Sequence, residues 1–517
     1  MKSLKSATLL DQVYIINIET TFLRALPRID IVGLASTTIK ESAMRVKSAL
    51  QSIPTYQNPS QQILISLTPS DIKKDGSHFD LPIALLILLQ KEEFDGEFFV
   101  FGELGLDGAV KGTNELFSIL LFLSTQVKGA KVLVPKDVAS KVAMIPNLEV
   151  FCVESLEEAQ RFFCDKEFAK NCEVKERHPL FENTLKIGKK EFVINREFAL
   201  DFYDIKGQNR AKRACLVAAA GMHNILLEGS AGCGKSMCAK RLRYILPPQS
   251  LEEILLSTAY ASLERPQCDF DALRPYRSPH HTSTRSSIFG GGSGVAKIGE
   301  VALANGGMLF FDEFPHFSKQ ILESLREPLE DNEINISRVN SKVNYKTKFL
   351  FFAAQNPCPC GNHFSKTLPC HCSPRQIETY KSAISTPLME RIDVYCAMGE
   401  VSAKDTPSVR SSELYEQVLG AFKVQVLREQ GEFNGKLSDE QVRQVCRLDK
   451  EASDILEKAV SAYNLSQRTI NKTLKVARTI ADLRIAQKFG DKLSQTQATS
   501  EIDKGDLLEA LSYRLKS

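Results

Sequence analysis

Along the first 165 residues the apolar pattern alternates between the periods of strands and helices. Residues 12–22, 28–35 and 61–68 are rich in β-branched and aromatic side chains and predict strands. Between them, Ser36 opens a segment whose apolar positions Ile39, Ala43, Val46 and Leu50 step by four, three and four. That spacing puts them on one helical face. Residues 82–90 predict a buried helix, and 98–103 and 131–135 predict further strands. From 166 to 195 the apolar period fades and twelve of 30 residues are charged, which predicts a linker. A second α/β region follows over 196–400. Beyond it, 401–517 reads as helices at 411–429, 438–448, 451–463, 466–487 and 503–515. In the fourth, Ile470, Leu474, Ala477, Ile480 and Leu483 form an apolar stripe for a neighbouring helix. The chain thus reads as α/β and multidomain, with a helical C-terminal region.

Composition narrows the class. With 66 Lys and Arg against 63 Asp and Glu in 517 residues, the chain is neither a polycation nor an acidic disordered segment. A local basic stripe remains compatible with nucleic-acid binding. The longest apolar run, Leu81 to Leu89, has nine residues. About 20 are needed to span a bilayer, so no membrane partner is expected. Asp11 interrupts any apolar core of a signal peptide. The thirteen cysteines are an odd number in a large chain, which predicts mostly reduced thiols in a cytoplasmic protein.

The chemistry concentrates in the second region. Gly229, Ser230, Ala231, Gly232, Cys233, Gly234, Lys235 and Ser236 fit G-x-x-x-x-G-K-[ST], between a short apolar strand and a helix. Such a loop turns backbone N–H groups toward the phosphates of ATP at a helix N-terminus. Lys235 is expected on the β and γ phosphates, and Ser236 on Mg²⁺. Downstream, Met308 to Phe311 is an apolar strand that ends in Asp312 and Glu313. Asp312 is expected to hold Mg²⁺ and Glu313 to deprotonate the attacking water. A third strand ends at Asn356, which suits contact with the γ-phosphate or the water, or a turn before Pro357.

These residues resemble the AAA+ ATPases of the magnesium-chelatase-like group, within it the ComM/YifB competence type. The resemblance extends over nearly the whole chain, through Asp204-Ile205-Lys206-Gly207-Gln208, Arg277-Ser278-Pro279-His280-His281, the glycines at 290–292, Gly299-Glu300, Leu325-Arg326-Glu327-Pro328-Leu329-Glu330, the segment from Pro387 to Asp393 and that from Val476 to Leu483. It implies an AAA+ P-loop core with a helical lid. It implies a hexameric ATP-driven ring acting on single-stranded or branched DNA, as a branch-migration helicase in recombination during natural transformation. It further implies that Asn356 is the first sensor and Arg391 an arginine finger for the neighbouring subunit. Arg468 resembles the second sensor, with Arg478 as the competitor. Arg391 could instead pair with Asp393 or Glu390. Rival readings are a chelatase-type motor for metal insertion and an ATP-dependent protein remodeller or protease.

Residues 1–165 resemble the proteolytic domain of the Lon family in the segments 74–80 and 102–108. That family's serine position is His78 here, and its lysine region reads Thr113-Asn114-Glu115-Leu116. A Ser-Lys pair needs both groups, so proteolysis is not expected. Cys358, Cys360, Cys370 and Cys372 form two C-x-C pairs that could surround Zn²⁺, form a redox disulfide, or sit in an unliganded loop. Finally, 333–348 predicts a hairpin carrying Arg338, Lys342, Lys346 and Lys348. These cations suit DNA phosphates, and equally an ordinary solvated hairpin. Arg468, Lys472, Lys475, Arg478 and Arg484 mark a second basic face on the lid.

Overall fold

The computed structural model describes residues 2–514 apart from 11, 55, 95, 176–177, 183, 266–267, 292–296, 338–341, 366 and 403. The chain forms two compact units. One comprises 1–182 with 258–270 and 337–343; the other comprises 183–257, 271–336 and 344–517.

The first unit is built on a mixed sheet of seven strands, in the order Ile29–Val32, Gln62–Thr68, Val13–Leu23, Lys2–Leu9, Phe99–Val100, Ala130–Pro135, Leu148–Val153. Lys2–Leu9 runs antiparallel to Val13–Leu23, which runs antiparallel to Gln62–Thr68. The helix Thr37–Gln51 buries Ile39, Ser42, Val46, Ala49 and Leu50, capped by Ser36 accepting from Ile39 N–H. The helix Asp80–Leu88 is buried on nearly every side, so its apolar residues run without a polar face. Its one acid, Asp80, takes a bidentate pair from Arg45, with Nε at 2.6 Å and Nη2 at 3.1 Å. His78, at the serine position of the Lon pattern, is buried with Nε2 2.9 Å from the Ala7 carbonyl. Ser77 donates to Glu103. Lys74 is buried and donates to the Gly33 carbonyl at 2.9 Å.

The second unit carries a five-stranded sheet, in the order Tyr276–Arg277, Met308–Phe311, Leu350–Gln355, Ile225–Gly229, Val394–Met398, every pair parallel. The middle three strands are fully buried, which explains their continuous apolar runs. One face packs on the helices Asn209–Gly221, Ser411–Leu427, Gln467–Phe489 and Lys504–Ser512, through a core reaching from Phe202 to Tyr513. The other face holds Phe311, Phe314, Phe317, Phe349 and Phe351. The helical C-terminal region therefore shares one hydrophobic core with the sheet.

Segment 166–195 holds more structure than a linker. It contains the helix Lys166–Asn171 and a hairpin, Thr184–Ile187 with Lys190–Val193, extended by Gln249–Ser250. On the hairpin Lys186, Lys189, Lys190 and Glu191 are exposed, while Ile187, Phe192 and Val193 are buried.

Candidate active site

At the C-terminal edge of the parallel sheet, three strand ends converge where ligands enter α/β folds. Ile225–Gly229 runs into the phosphate loop, and Gly234 caps the helix Lys235–Leu242 at φ 102°. A side chain there would be strained, so the tight entry into the helix requires glycine. Lys235 folds back over the loop. Its Nζ donates to the carbonyls of Gly229 at 2.6 Å and Ser230 at 2.9 Å, and to Asn356 Oδ1 at 3.0 Å. Burial pushes its pKa below the usual lysine value. The Ser230 hydroxyl is buried without a hydrogen-bond partner among the described residues.

Met308–Phe311 delivers Asp312 to the same edge. Ser236 Oγ donates to Asp312 Oδ2 at 2.7 Å, and Glu313 N–H donates to Asp312 Oδ1 at 3.0 Å. Glu313 takes the left-handed conformation, φ 52°, uncommon for a residue with a Cβ. Its carboxylate is half exposed, 3.3 Å from His281 Nδ1. The loop that follows Tyr276–Arg277 carries His281, whose ring lies against His280 with centroids 4.1 Å apart.

The set fits nucleotide and Mg²⁺. A hydroxyl and a carboxylate already 2.7 Å apart are the hard oxygen donors Mg²⁺ prefers. An ammonium held on loop carbonyls and an orphaned hydroxyl leave donors to exchange for phosphate oxygens. When bound, Mg²⁺ neutralises charge on the phosphates.

The cysteine turn follows directly. The Sγ atoms of Cys358, Cys360, Cys370 and Cys372 all lie within 4.8 Å of one another. The separations Cys358–Cys360, Cys358–Cys370 and Cys360–Cys370 are 3.4, 3.7 and 3.6 Å. A tetrahedron of ~2.3 Å Zn–S bonds has edges of ~3.8 Å. All four are free thiols. Gly361, left-handed at φ 79°, closes the turn against the site: a Cβ there would stand 3.7 Å from Ala231 N and 3.9 Å from the Asn356 side chain.

Arg391 and Arg468 stand elsewhere. Val394–Met398 runs parallel to Ile225–Gly229 with Val394 beside Ile225, so Arg391 precedes the N-terminal end of the strand. Asn224 Nδ2 donates to the Arg391 carbonyl at 2.9 Å. Five strand steps, from Asn224 to Gly229, separate that contact from the first residue of the phosphate loop, roughly 16 Å at ~3.3 Å per residue. Arg391 therefore lies at the opposite edge of the sheet from Lys235, Asp312, Glu313 and Asn356. It pairs with neither Asp393 nor Glu390 but with Glu330, which Arg468 Nη1 also approaches at 3.3 Å.

Arg478 is buried, donating to Asp482 and to the Ser500 carbonyl, so it faces the interior. The expected basic face of the lid is largely consumed in the same way. Lys472 donates to the Ile392 carbonyl, and Arg484 pairs with Asp503 and Asp506. Helical spacing displays the cations but not the acceptors that neighbouring elements bring to them.

On the hairpin, Glu333–Ser337 pairs with Lys342–Lys346. Arg338 and the side chain of Lys342 lie outside the described residues, as does Gly292. Lys346 is exposed, and Lys348 sits at the base, 2.5 Å from Glu432. No helix among the described residues is long and apolar enough to cross a membrane.

Three residues escape the sequence reading. Buried Glu228 accepts from Gln355 at 3.3 Å and from Tyr395 beside the phosphate loop. His281 is met only as part of a motif, and Glu330 only as the end of another.

Comparison with known proteins agrees with this architecture. The family description "Magnesium chelatase, subunit ChlI" matches residues 201–406, "Subunit ChlI of Mg-chelatase" matches 18–138, and "Magnesium chelatase, subunit ChlI C-terminal" matches 408–514. The Competence protein ComM of Haemophilus influenzae is 32% identical over 514 residues, 97% of this chain and 95% of its own length. The uncharacterized protein YifB of Escherichia coli is 33% identical over 512 residues, 96% of this chain and 94% of its own. Over a shorter stretch, 135 residues or 26% of this chain and 19% of the relative, the Probable DNA helicase MCM9 of Arabidopsis thaliana is 24% identical. The chain belongs to the magnesium-chelatase-like ComM/YifB family of AAA+ ATPase motors.

Proposed function

We propose that the protein is an ATP-hydrolysing ring that translocates on or remodels DNA, branched recombination intermediates included. The observation that carries the reading is the division of the sheet into two chemically different edges. One edge gathers Lys235, Ser236, Asp312, Glu313 and Asn356; the other presents Arg391 and Arg468. In this reading the phosphate loop and Lys235 hold ATP, Ser236 and Asp312 hold Mg²⁺, and Glu313 takes the proton of the attacking water. Asn356 senses the γ-phosphate. Arg391, some 16 Å from its own phosphate loop at ~3.3 Å per strand residue, serves the site of a neighbouring copy together with Arg468. A ring of copies, six as in the resemblance, completes every site. DNA is the track favoured by the relative named a probable DNA helicase, by the resemblance to branch-migration helicases, and by the cations the sequence carries at Arg338, Lys342 and Lys346. The charge of Lys348 is offset by Glu432.

The cysteine turn is read as a Zn²⁺ site that braces Asn356 against the phosphate loop. Four thiols at near-tetrahedral separations support it.

The test is the ATPase rate with single-stranded, duplex, forked and four-way DNA, at several salt concentrations. Stimulation by DNA, with affinity falling steeply as salt rises, is expected. A rate indifferent to every DNA would remove DNA as the substrate.

A further inference from the structure

We infer that Glu330 is the positioning residue that holds Arg391 and Arg468 together for presentation to a neighbouring copy of the chain. The inference rests on the reading that these arginines act across a subunit boundary.

Three separate elements meet at this carboxylate. Glu330 ends the helix Arg326–Glu330, Arg391 precedes Val394–Met398, and Arg468 begins the helix Gln467–Phe489. Arg391 is 5% exposed and pairs with Glu330 through Nη2, while Nη1 donates to the Pro387 carbonyl. Its Nε is buried without a partner among the described residues. Arg468 Nη1 lies 3.3 Å from the other carboxylate oxygen, Oε1. Glu330 is 47% exposed and Arg468 37%, so the cluster opens to solvent on one side.

Two guanidiniums brought together repel each other, and Arg326 adds a third positive charge. Burial first, then Arg468 and Arg326, push the Arg391 pKa down to about 10. A single carboxylate between the two arginines offsets that repulsion and fixes their spacing. It also joins the core to the lid helix, so the two cations move as one piece. A phosphate arriving from a neighbour would meet both arginines in register, with Arg391 Nε still unused.

Subunit mixing tests the idea. Lys235→Ala copies lack a working phosphate loop but keep their arginines; Arg391→Ala copies have the reverse defect. Each alone is inactive, and a mixture regains ATPase activity if the arginines act across the boundary. Placing Glu330→Gln on the Lys235→Ala copy is expected to lower the recovered kcat about fivefold or more with little change in KM. Placing it on the Arg391→Ala copy is expected to change nothing. Equal loss from either placement, or none from both, overturns the inference. Glu330→Asp, which keeps the charge on a shorter arm, makes the same comparison should the Gln variant misfold, with a smaller loss expected on the same copy. Failure of the unmodified mixture to recover activity would refute the trans reading of Arg391 itself.

Discussion

Ser236 Oγ donates to Asp312 Oδ2 at 2.7 Å, although 76 residues separate them in the chain. Two motifs that are separate in sequence thus become one Mg²⁺-type oxygen pair. Lys235→Ala is expected to abolish nucleotide binding, measured with a fluorescent ATP analogue. Glu313→Gln should still bind ATP but hydrolyse it ~10²–10⁴-fold more slowly, the usual contribution of a general base. Asn356→Ala should lower kcat and free the Lys235 ammonium from its 3.0 Å partner.

The two candidate second-sensor arginines should separate by stability. Arg428 and Arg478 share the buried carboxylate of Asp482, with Asn434 Nδ2 donating to its other oxygen at 2.8 Å. Removing that charge strands two buried cations, so Asp482→Asn is expected to destabilise the fold by about 3–5 kcal/mol. Arg468→Ala, at a partly exposed site, should melt near the wild type yet lose ATPase activity in the assembled ring. Thermal unfolding set beside activity distinguishes the two.

Metal analysis addresses the cysteine turn. About one Zn²⁺ per chain is expected from four thiolates. Cys358→Ser with Cys360→Ser should lose the ion and lower kcat more than ATP affinity, because the turn packs on Asn356 and Ala231. Retention of metal by that double variant would exclude the site.

His78 should make the fold acid-sensitive. Burial holds its imidazole at about 4, against 6.5 when unperturbed. Between those values the unfolded chain binds the additional proton. The stability present above pH 6.5 is therefore lost as pH falls toward 4, about 3 kcal/mol in full. Calorimetry of the whole chain should show His78→Gln to be less pH-dependent than the wild type across that window.

Much of this was legible in the residues. Helices expected at 466–487 and 503–515 are observed as Gln467–Phe489 and Lys504–Ser512, with residue 515 outside the described residues; the apolar stripe of the first is a strong local signal, and Ser466 and Asp503 cap the two starts. The strand Lys2–Leu9 was not legible: its buried positions include Ser6 and Thr8, so alternation is hidden behind hydroxyls. Nor was Glu330, because an ion pair between residues 330, 391 and 468 depends on where three elements meet. Local pattern reveals which face is apolar, whereas the partner of a charge is set by tertiary packing.

The two-edged sheet also changes how active sites are counted. If each phosphate loop is completed by a neighbour's Arg391, sites belong to seams rather than to chains. A closed ring of n copies then has n working sites, and a ring opened at one seam has n − 1. Opening to admit a DNA strand would idle one site at the point of entry, and closing would restore it. Loading and fuel consumption would be tied together by geometry alone, without a dedicated regulatory element.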